Sequence, residues 1–87
     1  MNTEEKIMLH IILPMSEISH DIRLSVDLKV SDVVPTLLAI LKNLYPNELV
    51  LSAAPLLYKS VSGEILSPSD ASLKELGLKD ADILYLI

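Results

Sequence analysis

From Asp21 to Leu28 polar and apolar residues alternate without a break, with Asp21, Arg23, Ser25 and Asp27 on one side of the chain and Ile22, Leu24, Val26 and Leu28 on the other. Successive side chains of a strand point to opposite faces, so this segment requires one face against a core and one in water. The spacing predicts a strand from His20 to Leu28, and a sheet wetted on one face is characteristically antiparallel. The preceding run, Lys6 to Leu13, supplies its partner. It places Ile7, Leu9, Ile11 and Leu13 on one face and Met8, His10 and Ile12 on the other. Pro14 to Ser19 is the turn that closes this hairpin.

The period then changes. Val34, Leu37, Leu38, Leu41, Leu44 and Tyr45 recur at the 3, 4, 7 spacing of one helix face, and Ser31 or Asp32 can serve as the N-cap. With Asp32 as cap, Pro35 is the third helical residue and its missing N–H costs nothing, whereas Ser31 as cap loses one intrahelical bond, so Asp32 is favoured. Pro46 stops the helix. Leu49, Val50 and Leu51 in the connection that follows are expected to pack under the helix end. Pro55 to Val61 is a third strand, Ser62-Gly63-Glu64 a turn, and Ile65-Leu66 a short fourth strand ended by Pro68. Ser72 to Leu76 is a helical turn stopped by Gly77 in the left-handed conformation, and Asp82 to Ile87 is a fifth strand.

With 87 residues the chain has room for one domain, burying roughly 60 to 65% of the surface of its unfolded state. Residues 1–5 are expected to fray. The only aromatic residues are three tyrosines, so the core must be built from Leu, Ile and Val. No cysteine is present, which excludes disulfides, thiolate metal sites and thiol nucleophiles and suits a cytoplasmic protein. A net charge of −5 opposes nucleic-acid phosphates and anionic membranes, so nucleic-acid binding is not expected. The polar, acidic Met1 to Lys6 reads as no signal peptide, and no run approaches the ~20 apolar residues of a membrane span.

The inventory for catalysis is thin. His10 and His20 lie near opposite ends of the hairpin, are expected on its outer face, and form no helical His-x-x-x-His pair, so a zinc site from His10, His20 and Asp21 is not supported. Gly63 and Gly77 sit in turns, outside any phosphate-cradling motif. Ser60, Ser62, Ser67, Ser69 and Ser72 are explained by turns and caps. No enzyme activity and no cofactor are expected.

The segment Ser72-Leu73-Lys74-Glu75-Leu76-Gly77-Leu78, followed by Asp80-Ala81-Asp82-Ile83-Leu84-Tyr85-Leu86, resembles the final part of ubiquitin-like domains. The resemblance implies an α+β fold, a β-grasp of ubiquitin-like type whose five-stranded mixed sheet packs on one α-helix, with Leu73 and Leu78 plugging the core. Within that superfamily the chain is most similar to the small YukD/EsaB-type proteins of Gram-positive type VII secretion loci, through Ile22-Arg23-Leu24-Ser25-Val26 and the closing strand Asp82 to Ile87. No terminal Gly-Gly tail follows Ile87, so the expectation is a ubiquitin fold without conjugation or sulfur-carrier chemistry.

In β-grasp order the first, fifth and third strands are neighbours, and their outward residues share one surface. These are Met8, His10 and Ile12 on the first strand and Ile83, Tyr85 and Ile87 on the fifth. On the third, Leu57 is expected outward between inward Leu56 and Tyr58, with the register open by one residue. Leu57, Tyr85 and Ile87 fall where the resemblance places a partner-binding patch. An apolar stripe of this extent implies a protein partner, which the resemblance makes a component of the secretion machinery, or a homodimer seam formed by the same stripe.

Overall fold

A computed structural model describes residues 5–87; of the end expected to fray, only Glu5 lies within the described residues. The elements are β1 (Lys6–Leu13), a short 3-10 turn (Pro14–Ser16), β2 (Ile18–Ser25), α1 (Val30–Leu44), β3 (Leu57–Lys59) and β4 (Asp82–Leu86). They form one mixed sheet in the order β2-β1-β4-β3, parallel between β1 and β4 and antiparallel elsewhere.

Alternation on β1 holds from end to end, with Ile7, Leu9, Ile11 and Leu13 buried. Its partner β2 begins and ends earlier than the alternation suggested. At the start, Glu17 adopts a left-handed conformation (φ 54°) and returns the chain after one 3-10 turn. At the end, the Ser25 hydroxyl accepts the Asp27 N–H and the Ser25 carbonyl accepts the Leu28 N–H, which turns the backbone out of the ladder. Val26 stays buried and still pairs with Glu5 through its N–H.

The helix starts at Val30, so neither Ser31 nor Asp32 is its cap. Tertiary contacts replace the side-chain cap. The Val30 N–H donates to the Ala71 carbonyl (2.9 Å) and the Ser31 N–H to the Ser69 carbonyl (3.0 Å), so the first donors of the helix are already satisfied by the 69–71 segment. Pro35 then falls in the helix interior and one bond to Ser31 is lost, a cost that a cap at Asp32 would not carry. The buried face is Val30, Val33, Leu37 and Leu41. Val34, Leu38 and Tyr45 lie on its flank, and Leu44, expected in the core, is 49% exposed.

Leu49 and Leu51 pack beside the core as expected, but Val50 does not. Its backbone is held instead, the N–H donating to the Ser16 hydroxyl and the carbonyl accepting from it.

Among the described residues four strands, not five, make up the sheet. Ile65 forms a single bridge with Tyr58, while Leu66 turns inward to the core and its N–H bonds the Leu57 carbonyl. A three-residue β3 leaves no length for a longer ladder, and Pro68 cannot extend one. β3 itself is shorter than the expected 55–61 because the chain already turns at Lys59, whose carbonyl accepts the N–H of Gly63 (φ 70°).

The Ser72 to Leu76 turn is closed by a reciprocal pair. The Ser72 N–H donates to the Glu75 carboxylate (3.0 Å) and the Glu75 N–H to the Ser72 hydroxyl (3.1 Å), a capping box on a single turn. Gly77 follows at φ 74°, as a left-handed stop requires. Leu73 and Leu78 on either side are buried in the core.

Candidate functional site

The sheet has one face covered by α1 and one that the described residues leave bare. Leu9, Ile11, Leu13, Ile22, Leu24, Leu84 and Leu86 point toward α1, which leaves the intervening residues on the opposite side. Strand pairing places those residues in rows. His10 is level with Ile83 and Ile12 with Tyr85 across the parallel pair, and Tyr85 is level with Tyr58 across the antiparallel one. Ile65 opposes Tyr58 at its bridge and extends the row. Ile87 and Leu56 exchange two backbone hydrogen bonds at the end of the sheet, 2.9 and 2.7 Å.

The structure therefore brings together Met8, His10, Ile12, Ile83, Tyr85 and Ile87 as read from the sequence. Leu57 is not among them. It pairs with Leu86 and is 1% exposed, so the third strand is shifted by one residue from the expected register. Its place is taken by Tyr58, with Leu56 beside Ile87 and Ile65 beyond. The run Leu56-Leu57-Tyr58 is apolar throughout, so alternation carried no parity there. Ile65, 45% exposed, joins the face through its bridge to Tyr58, a contact that local alternation does not reveal.

The face is divided in character. Its β1, β4 and β3 side is apolar and tyrosine-bearing. Its β2 side is polar, with Ser19 opposite Ile12, Asp21 opposite His10 and Arg23 opposite Met8. His10 Nδ1 and the Asp21 carboxylate are hydrogen-bonded across the boundary, fixing the imidazole at the margin of the apolar rows.

His20, expected beside His10 on the outer face, is on the other one. It pairs with core residue Ile11, so its ring points toward the helix and meets Tyr45 edge-on at 5.8 Å, with Nδ1 3.0 Å from the Tyr45 hydroxyl. The two histidines are thus on opposite sides of the sheet, and among the described residues no group of three or more His, Asp or Glu side chains could hold a metal ion. No helix of the described residues is long and apolar enough to cross a membrane.

No family model matches the chain, and no curated relative matches it in sequence. Solved structures do. The ubiquitin-like domain of EccD5 from Mycobacterium xenopi is similar over 95% of this chain and 93% of that one, at 19% identity and a TM-score of 0.76. The ubiquitin-like domain of the Mycobacterium tuberculosis type VII secretion protein EccD1 matches over 95% and 98%, at 15% identity and 0.66. Caldiarchaeum subterraneum ubiquitin matches over 95% and 92%, at 19% identity and 0.71. Element order, parallel β1–β4 pairing, the α-helix packed on the sheet and these likenesses converge: the chain has the ubiquitin-like β-grasp fold, built on four strands among the described residues.

Proposed function

We propose that this chain is a non-enzymatic protein-interaction module, a cytosolic accessory or regulator of type VII secretion that engages a protein partner through the outer face of its sheet. The observation that carries the reading is the apolar row Ile12, Tyr85, Tyr58 and Ile65, flanked by Ile83 and Ile87, on a face that no helix or loop of the described residues covers. Contiguous apolar surface rimmed by polar groups favours recognition, and aromatic anchors at the centre of such surfaces carry a large share of binding energy. The secretion assignment draws on the similarity to the two EccD domains, one of which is described as part of a type VII secretion system.

Tyr85→Glu tests this reading in the native host. A charge at the centre of the row is solvated in the free domain but must be desolvated in a complex, so the variant should fold, as read by circular dichroism, and lose partner retention. The secreted-protein profile should change with it. A folded, abundant Tyr85→Glu protein with unchanged partners and unchanged secretion sinks the outer-face reading.

A further inference from the structure

The two sheet edges are treated very differently. The β3 edge is three residues long and already occupied by the Ile65 bridge and the Leu66 N–H. The β2 edge runs for eight residues, Ile18–Ser25, with no proline and no lysine. The Val26 N–H bonds Glu5, so even-numbered residues of β2 direct their backbone groups toward β1, and Ser19, Asp21 and Arg23 direct theirs away from the sheet. Among the described residues the N–H and C=O groups of these three have no backbone partner. A long unguarded edge of this kind is a template for another strand.

The side chains along the edge specify which strand. We infer that β2 pairs antiparallel with β2 of a second copy of this chain, about a two-fold axis at Ile22. On that axis Asp21 of each copy stands opposite Arg23 of the other, Ser19 stands opposite Ser25, and Ile22 meets its own equivalent. The edge is self-complementary in charge: two opposite-sign cross-strand pairs form on the outer face, where like charges would repel. Shifting the pairing by two residues in the direction that centres it on Asp21 sets Asp21 against Asp21. Centring it on Arg23 sets Arg23 against Arg23, so the Ile22 register is selected over both. One strand pair is a small contact, so the dimer is a weak one, of micromolar to millimolar affinity. The product is a continuous eight-stranded sheet that carries two apolar outer rows, their β4 strands five strand spacings, about 24 Å, apart across the sheet. If that face is the recognition surface proposed above, the dimer presents it twice and gains avidity on a repeated partner.

Sedimentation equilibrium of the wild-type chain from micromolar to millimolar concentration tests the seam independently of any partner. Asp21→Arg alone and Arg23→Asp alone should each weaken self-association by about tenfold or more, because each sets like charges opposite one another. Mixed in equal amounts they should associate with each other, since the pairing between the two variants restores both opposite-sign contacts. Amide exchange supplies a backbone readout: protection of Ser19, Asp21 and Arg23 should rise with protein concentration while that of the even-numbered β2 amides does not. A chain that stays monomeric at millimolar concentration with those three amides unprotected overturns the proposal and leaves the edge to a strand of another protein. Self-association abolished by Tyr85→Glu but not by the charge variants also overturns it, and moves the seam to the outer face.

Discussion

The carboxylate of Asp80 accepts a 2.7 Å hydrogen bond from the backbone N–H of Met8, 72 residues earlier in the chain. The Met8 carbonyl accepts the Ala81 N–H at 2.8 Å, so the turn before β4 holds both backbone groups of one β1 residue. This clamp sits immediately before the parallel pairing of Leu9 with Asp82 and sets its register. The outer rows depend on that register. Asp80→Ala should destabilise the fold by about 1 kcal/mol in urea denaturation, less than is usual for a bond to a charged acceptor because the site is exposed. Asp80→Asn, which keeps an acceptor oxygen, should lose less; equal losses would mean that the hydrogen bond is not what Asp80 contributes.

Positive φ at two neighbouring turns gives a prediction with opposite signs. Gly77 at φ 74° has open space where a Cβ would lie, so Gly77→Ala should cost about 1 kcal/mol from backbone conformation alone. Ala81, at φ 72°, bears the strain that glycine avoids. Ala81→Gly should therefore stabilise the domain by about 0.5 kcal/mol, the relief of strain exceeding the added entropy of the unfolded chain. Thermal melts of the two variants should move in opposite directions.

Within β4 the two faces should separate cleanly. Leu84 is fully buried, and Leu84→Ala opens a cavity worth about 2 to 5 kcal/mol. Tyr85 lies on the outer face, so Tyr85→Ala should cost about 0.5 to 1 kcal/mol. The reverse order in chemical denaturation would place β4 one residue out of register and exchange its two faces.

The parts of this fold visible in the sequence are those governed by local period and turn chemistry. β1 was legible over Lys6–Leu13 because its apolar face is unbroken, and Gly77 was legible because only a left-handed stop explains a glycine after Leu76. The start of α1 was not, since its donors are satisfied by the carbonyls of Ser69 and Ala71, about forty residues away, rather than by a capping side chain. The inward turn of His20 follows from the same alternation that buries Ile22, but its Tyr45 partner lies on another element and leaves no mark in sequence. At the candidate site the β1 and β4 residues were readable for the same reason as their strands. Tyr58 was not, because three consecutive apolar residues fit either face and only the pairing of Leu57 with Leu86 decides between them.

That one-residue shift can be tested at the level of function. Leu57 and Tyr58 are adjacent, yet Leu57 is 1% exposed against the core and Tyr58 stands beside Tyr85 in the outer row. Leu57→Ala should lower stability by about 2 to 5 kcal/mol, as a large-to-small change in a packed interior does. Any loss of partner binding by this variant should track its unfolded fraction. Tyr58→Ala should remain folded at physiological temperature and lose binding without losing structure, because the aromatic surface it removes contributes to the interface and little to the core. Measuring unfolding midpoint and partner retention on both variants separates the two outcomes. A Tyr58→Ala protein that kept full partner retention, beside a Tyr85→Glu protein that lost it, would confine the working surface to β1 and β4 and exclude the β3 end of the row.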